Sequence, residues 1–102
     1  MSRRSTLGKL ERRILRSAGI QREKSVEHLR VELSQTLPVT TAKLKHSLSE
    51  LARRGYVRCI LRGITKDLEK VAPSRLLVRV GKQNNKTQRE QYQRMFEQLL
   101  DR

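Results

Sequence analysis

The spacing of the apolar residues changes at Gly55, and this change constrains the fold more than any other feature of the sequence. Before Gly55, large apolar residues recur every three or four positions, as they do on one face of an α-helix. After it, they alternate with mostly basic residues in the segments 56–62 and 75–80, which is the period of a half-buried strand. We therefore predict a mainly helical α+β fold in which helices precede a two-stranded ribbon.

Three helices are expected ahead of the ribbon, over about 6–18, 25–33 and 41–54. The residues that can cap their first turns are Thr6, Ser25, and Thr40 or Thr41. The segment 21–24 is polar and is predicted to be a simple connection, and Pro38 ends the second helix because the residue before a proline disfavours the helical conformation.

A fourth helix is predicted near the end of the sequence. The segment 81–86 contains no apolar residue and is expected to act as a hinge, and Thr87 and Glu90 have the spacing of a capping box. The residues that follow at helical spacing are Tyr92, Met95, Phe96, Leu99 and Leu100. We expect a body over 1–82 and a dimerisation helix within 83–102. The alternative is that this stripe folds back onto its own core.

The charge of the chain predicts a polyanionic partner. There are 24 Lys and Arg residues against 10 Asp and Glu, which gives a formal net charge of +14. A small domain needs a charge of only about 2–8 for solubility, so the excess favours nucleic acid. Apolar runs are far shorter than a membrane span, so no span is expected. A further alternative is that segment 88–100 lies on an anionic membrane or docks into a protein groove, but this segment is nearly neutral, so no membrane partner is expected. A single cysteine suggests a reducing compartment, and we expect a cytoplasmic protein that is nucleoid-associated if bacterial.

Catalytic and metal-binding motifs are missing from the sequence. His28, His46 and Cys59 do not have the spacing of a zinc site. The five glycines form no phosphate-binding loop, and the carboxylates form no evident acid–base pair. We therefore expect neither an enzyme nor a bound cofactor or metal.

The order of predicted elements resembles the winged helix-turn-helix family. The resemblance is strongest over residues 25–57, SVEHLRVELSQTLPVTTAKLKHSLSELARRGYV, where Leu48, Leu51, Gly55 and Val57 match the passage from the third helix into the first wing strand. It implies three helices, a two-stranded wing and an added C-terminal helix. It also implies that the third helix enters the major groove of DNA. The loop over 63–74 is longer than the usual wing of the family.

The composition of the third helix agrees with that role, since the side opposite its leucines is small, polar and basic. The candidate contacts on or beside this helix are Thr40, Thr41, Lys43, Lys45, His46, Ser49, Arg53 and Arg54. Arg58, Arg62, Lys66 and Lys70 in the ribbon are expected to bind phosphates, which position a protein without specifying sequence.

The expected function is that of a homodimeric regulator of transcription, acting as a repressor that occludes a site on double-stranded DNA. The alternative is an RNA-binding or ribosome-associated module of the same fold. The sequence has only three aromatic residues, which argues against single-stranded RNA because bases of single strands stack on aromatic side chains. Structured RNA remains open.

Overall fold

The computed structural model describes residues 7–19, 23–63 and 71–100 of the chain. This part of the chain contains four α-helices and one three-stranded antiparallel sheet, so the predicted α+β class is confirmed. The elements in chain order are α1 (Lys9–Ala18), β1 (Glu23–Ser25), α2 (Val26–Leu33), α3 (Thr41–Arg53), β2 (Val57–Leu61), a 3₁₀ turn (Pro73–Arg75), β3 (Leu76–Val80) and α4 (Lys86–Leu99).

Side-chain caps fix the starts of the helices. The hydroxyl of Ser25 accepts a hydrogen bond from His28 N at 3.0 Å, and the hydroxyl of Thr40 accepts one from Lys43 N at 3.2 Å. Both satisfy amides that have no partner inside the helix, as the sequence predicted. Helix α1 is preceded by Gly8, whose amide donates to the Glu11 carboxylate at 2.8 Å, and the predicted start at Thr6 lies outside the described residues.

Helix α4 begins earlier than the capping box predicted. Asn85, rather than Thr87, is the N-cap, and its side-chain oxygen accepts a hydrogen bond from Gln88 N at 3.1 Å. Asparagine caps a helix at least as well as threonine, so the earlier start satisfies the same kind of amide.

Strand β1 was not predicted, because the sequence indicated only the two strands of the ribbon. The sheet order is β1-β3-β2, so β1 is an edge strand, and Lys24 pairs with Val78 of the central strand β3. Segment 23–25 lacks the alternation that identifies a strand from sequence, because two of its three residues are charged. Its side chains are used instead in ion pairs, Lys24 with Glu32 at 2.7 Å and Glu23 with Arg79 at 3.9 Å.

The core lies between the helices and one face of the sheet. Cross-strand pairs Cys59–Val78 and Val57–Val80 face it from the sheet, as the period of two predicted. The fully buried large side chains are Ile14, Val26, Leu29, Leu44, Leu48, Leu51, Val57, Leu76, Val78, Phe96 and Leu100. All four helices therefore contribute to one hydrophobic cluster.

Helix α4 packs along α3, and the stripe predicted to form a dimer interface faces the core of its own chain. Phe96 and Leu100 are completely buried, and Tyr92, Met95 and Leu99 are half-buried against the same cluster. The C-terminal end of α4 is fastened by a hydrogen bond from Val71 N to Leu99 O at 2.6 Å. Within the chain the stripe therefore takes the intramolecular position, which covers apolar surface of a lean core. The association of two copies stays a prediction.

Candidate nucleic-acid interface

The N-terminal half of α3 is the exposed half. Thr40, Ala42, Lys43 and His46 are exposed, whereas Leu44 on the opposite side is completely buried. Thr41 and Lys45 lie at the margin and are half-buried. This arrangement follows from the spacing of the leucines, which turns the small, polar and basic residues of the first two turns away from the core.

Ser49 does not belong to that exposed surface. It is only 3% exposed, and its hydroxyl donates a hydrogen bond to Lys45 O at 2.8 Å. Helix α4 passes beside it, so that Glu97 lines a shallow pocket together with Ala42, Lys45, His46 and Ser49. The Ser49 hydroxyl is thus covered and already has an acceptor, so the structure does not place it on the exposed surface, and its predicted contact with bases stays a prediction.

The C-terminal end of α3 carries cations with partners. Arg53 is exposed and forms an ion pair with Glu50 at 2.6 Å. The hydrogen bond from Arg53 holds the pKa of the Glu50 carboxyl below its ordinary value. Arg54 is half-buried where the helix ends. The charge available for phosphate is thus greater at the start of α3 than at its end.

The arginines of the ribbon lie on the face of the sheet that points away from the core. Arg58 is paired in register with Arg79, and its Nη2 donates to Lys82 O at 3.4 Å, while its Nε is buried without an acceptor. Arg62 is exposed, and its carbonyl accepts from the Arg75 guanidinium at 3.3 Å. Lys66 and Lys70, predicted to contact phosphates, lie outside the described residues.

A further basic surface lies on α1 and was not among the predicted contacts. Lys9, Arg12, Arg13 and Arg16 line a shallow depression of about 220 Å³. Their spacing, three and four residues apart, marks one face of a helix, and this signal is visible in the sequence as the complement of the apolar stripe. Arg13 connects this surface to the turn after α2, because its Nη1 donates to the Thr36 hydroxyl at 3.0 Å.

The ion pairs are distributed unevenly over the described residues. They involve Lys24, Arg30, Arg53 and Arg79, which lie in β1, α2, the end of α3 and β3. Within the described segments, none of the ion pairs includes a cation of the α1 surface or of the first half of α3. These two regions therefore keep charge that an external polyanion can neutralise.

Cys59 has a structural role. Cys59 is buried, and burial raises the pKa of its thiol to about 12, so the thiol stays protonated and packs as a small apolar group. No group of three or more His, Cys, Asp or Glu side chains is placed to hold a metal ion within segments 7–19, 23–63 and 71–100. No helix in those segments has the length and apolar character needed to cross a membrane.

Comparison with known proteins adds no relative. A scan against protein-family models, a search of curated proteins and a search of solved structures each found no match.

Proposed function

We propose that this protein binds double-stranded DNA as a winged-helix regulator of transcription, with the first two turns of α3 in the major groove. The observation that carries the proposal is the exposed start of α3, where Ala42, Lys43 and His46 point away from the core. The order of the helices and the strand order β1-β3-β2 are compatible with a winged-helix fold. The net charge of +14 supports a polyanionic partner.

Each exposed residue has a role that its chemistry allows. Lys43 can donate to guanine or phosphate, and the methyl group of Ala42 suits the thymine methyl group. The cations of α1 and the exposed Arg62 would bind phosphates, which fix the orientation of the protein on the duplex. Occupation of a site in this way blocks other proteins, so repression by occlusion is the simplest regulatory outcome.

The homodimer expected from the sequence is not part of this proposal. Its interface centred on Phe96 and Leu99, but Phe96 is completely buried by its own chain. Dimerisation through that stripe would require α4 to leave α3 and expose the core.

A binding-site selection on random duplex DNA tests the proposal. We expect an enriched sequence motif, and we expect Lys43→Ala to weaken binding to the selected site more than binding to random duplex. Arg94→Ala is the matched control, because Arg94 is an exposed cation on α4 outside the proposed surface. No enrichment, together with equal effects of the two substitutions, would overturn the assignment.

Structured RNA is the second candidate, and one observation favours it. Helix α4 lies along α3 and places Glu97 beside Lys45 and His46 in its first half, which limits how far α3 can enter a groove. Double-stranded RNA is recognised through its phosphates and 2′-hydroxyls and needs no helix in its major groove. Competition between duplex DNA and duplex RNA at one salt concentration distinguishes the two candidates.

A further inference from the structure

A cleft opens where α3 ends, β3 ends and α4 begins. Its volume is about 710 Å³, which lies within the range of about 300–1,000 Å³ that small-molecule sites occupy. The charged residues among the described lining are Arg54, Lys82 and Arg89, all of them cations. The Tyr56 ring and Val80 supply apolar surface beside them. The cleft therefore combines positive charge with an aromatic wall.

The walls of the cleft are held in place by backbone contacts. Gly81 N donates to Tyr56 O at 3.0 Å, and Gln83 N donates to Gly55 O at 2.9 Å. These bonds fasten the connection between β3 and α4 to the end of α3. A site with fixed walls loses little conformational entropy when a ligand binds.

Two arginines beside this connection have unmet hydrogen-bonding capacity. The Nε atoms of Arg58 and Arg89 are buried without an acceptor. The side chain of Arg89 runs over Gly55, where a Cβ would lie only 3.0 Å from its Cδ. A buried donor without an acceptor is unfavourable, and a small rotation of the Arg89 guanidinium toward an anion in the cleft would supply one.

We infer that this cleft binds a small phosphate-bearing ligand of the nucleotide class. Arg89 and Lys82 would bind the phosphate, since a guanidinium offers a planar pair of donors and an ammonium a compact charge. Tyr56 is 37% exposed, and its ring would stack on the base. The site goes beyond the proposed duplex contact, because it uses none of Lys43, Lys45 and His46.

Two kinds of ligand present a phosphate next to a base: a free mononucleotide, and the nucleotide at the phosphorylated end of a strand. A free nucleotide is our assignment. Adenosine 5′-monophosphate, adenosine and inorganic phosphate are the probes, and they are titrated into the full chain at fixed salt. The readout is the ¹H–¹⁵N NMR signals of the Gly55 and Gly81 amides and of the Arg89 Nε–H.

The mononucleotide is expected to shift these three signals in a saturable way, at lower concentration than adenosine or phosphate alone. Arg89→Met keeps the stem that packs on Gly55 but removes the charge, and it is expected to weaken binding by about 10-fold or more, the effect of one charge-assisted hydrogen bond. Lys82→Ala is expected to act in the same direction, and it leaves the backbone carbonyl in place. Arg94→Met is the matched control on the same helix, with an expected change below about 2-fold.

A mononucleotide that causes no saturable shift overturns the inference, as do equal effects of Arg89→Met and Arg94→Met. A 5′-phosphorylated single-stranded oligonucleotide identifies the source. If it displaces the mononucleotide and binds more tightly, the site takes a strand end and our choice of a free nucleotide is wrong. The affinity for duplex DNA distinguishes a failure of this inference from a failure of the proposed function. Arg89→Met should leave that affinity unchanged, whereas Lys43→Ala should lower it.

Discussion

The carbonyl oxygen of Gln83 occupies the space that a side chain on Gly55 would need. A Cβ built on Gly55 would lie 2.5 Å from that oxygen, and the Gln83 amide donates to the Gly55 carbonyl at 2.9 Å. Gly55 also has a φ of 85°, in the left-handed region that favours glycine. Gly55 thus follows the end of α3, leaves room for the connection between β3 and α4, and lines the cleft.

Alanine at positions 55 and 81 provides a matched pair. Gly55→Ala should destabilise the fold by about 2 kcal/mol or more, because it combines backbone strain with a contact that the backbone of Gln83 must relieve. Gly81→Ala should change stability by less than about 0.5 kcal/mol, since a Cβ there meets no atom within 4 Å. Urea unfolding measures both free energies. Similar losses for the two variants would contradict the contact between Gly55 and Gln83.

Removal of the Phe96 ring should destabilise the monomer. Phe96→Ala is expected to cost about 3–5 kcal/mol, because a completely buried ring is replaced by a cavity. Gln98→Ala on the exposed side of α4 is the control and should have little effect. Thermal unfolding combined with sedimentation checks the result. A stable Phe96→Ala monomer formed from a wild-type dimer would favour the intermolecular interface that the sequence suggested.

Affinity for duplex DNA should fall steeply with salt. If several cations of α1 and α3 replace counterions on the phosphates, the association constant should decrease roughly 10³-fold or more between 50 and 200 mM salt. Fluorescence anisotropy with a labelled duplex measures the slope. An affinity that barely changes over this range would exclude a phosphate-dominated contact.

Lys43 and Ser49 should differ in their effect on sequence preference. Lys43→Ala is expected to reduce discrimination between selected and random duplex by about 1–3 kcal/mol if the ammonium contacts a base. Ser49→Ala should leave discrimination unchanged, because its hydroxyl is covered and donates to Lys45 O. Paired titrations with both duplexes provide the comparison. A larger effect of Ser49→Ala would mean that α4 moves away from α3 on binding.

The ion pair between Lys24 and Glu32 should make stability depend on pH in the acid range. The hydrogen bond from Lys24, followed by that from Ser17, lowers the pKa of the Glu32 carboxyl. A carboxyl whose pKa is lower in the folded state stabilises the fold above its unfolded pKa of about 4.3, and this contribution is lost as the pH falls through the folded pKa.

Glu32→Gln should therefore be less stable than the wild type near pH 7, and the difference should shrink below about pH 4. Unfolding by urea at a series of pH values measures this difference. Glu97→Gln is a control for the loss of one carboxylate on an exposed surface. A Glu32→Gln deficit that stays constant down to pH 2 would show that the carboxylate charge plays no part.

Sequence patterns predicted the elements whose residues face the core, and missed those defined by polar contacts. The leucines of α3 and the alternation in β2 and β3 identified their buried sides, because burial selects apolar residues at a fixed period. Strand β1 was missed because Lys24 and Glu23 carry no such signal. The burial of Ser49 was not predicted, because the helical wheel shows only which side of α3 is polar, whereas α4, which passes beside Ser49, follows more than forty residues later.

The exposed start of α3 was predictable, since it needs only the position of Thr40 and the leucine stripe. The basic surface of α1 could be seen in the sequence as basic residues three and four positions apart, but the sequence analysis assigned it no partner. The choice between an intermolecular and an intramolecular position for Phe96 could not be made from sequence, because both bury the same stripe. In the structure, Phe96 is completely buried by its own chain.

The pairing of β1 with β3 has a consequence for synthesis. Residues 23–25 pair with 77–79, so the first strand along the described chain pairs with a strand that is made more than fifty residues later. A ribosome adds about 5–20 residues per second, so β1 is synthesised several seconds before β3, its partner in the sheet. During that interval α1, α2 and α3 can associate but the sheet cannot close. The charged residues of β1, Glu23 and Lys24, keep this unpaired segment hydrated and disfavour its pairing with strands of other nascent chains.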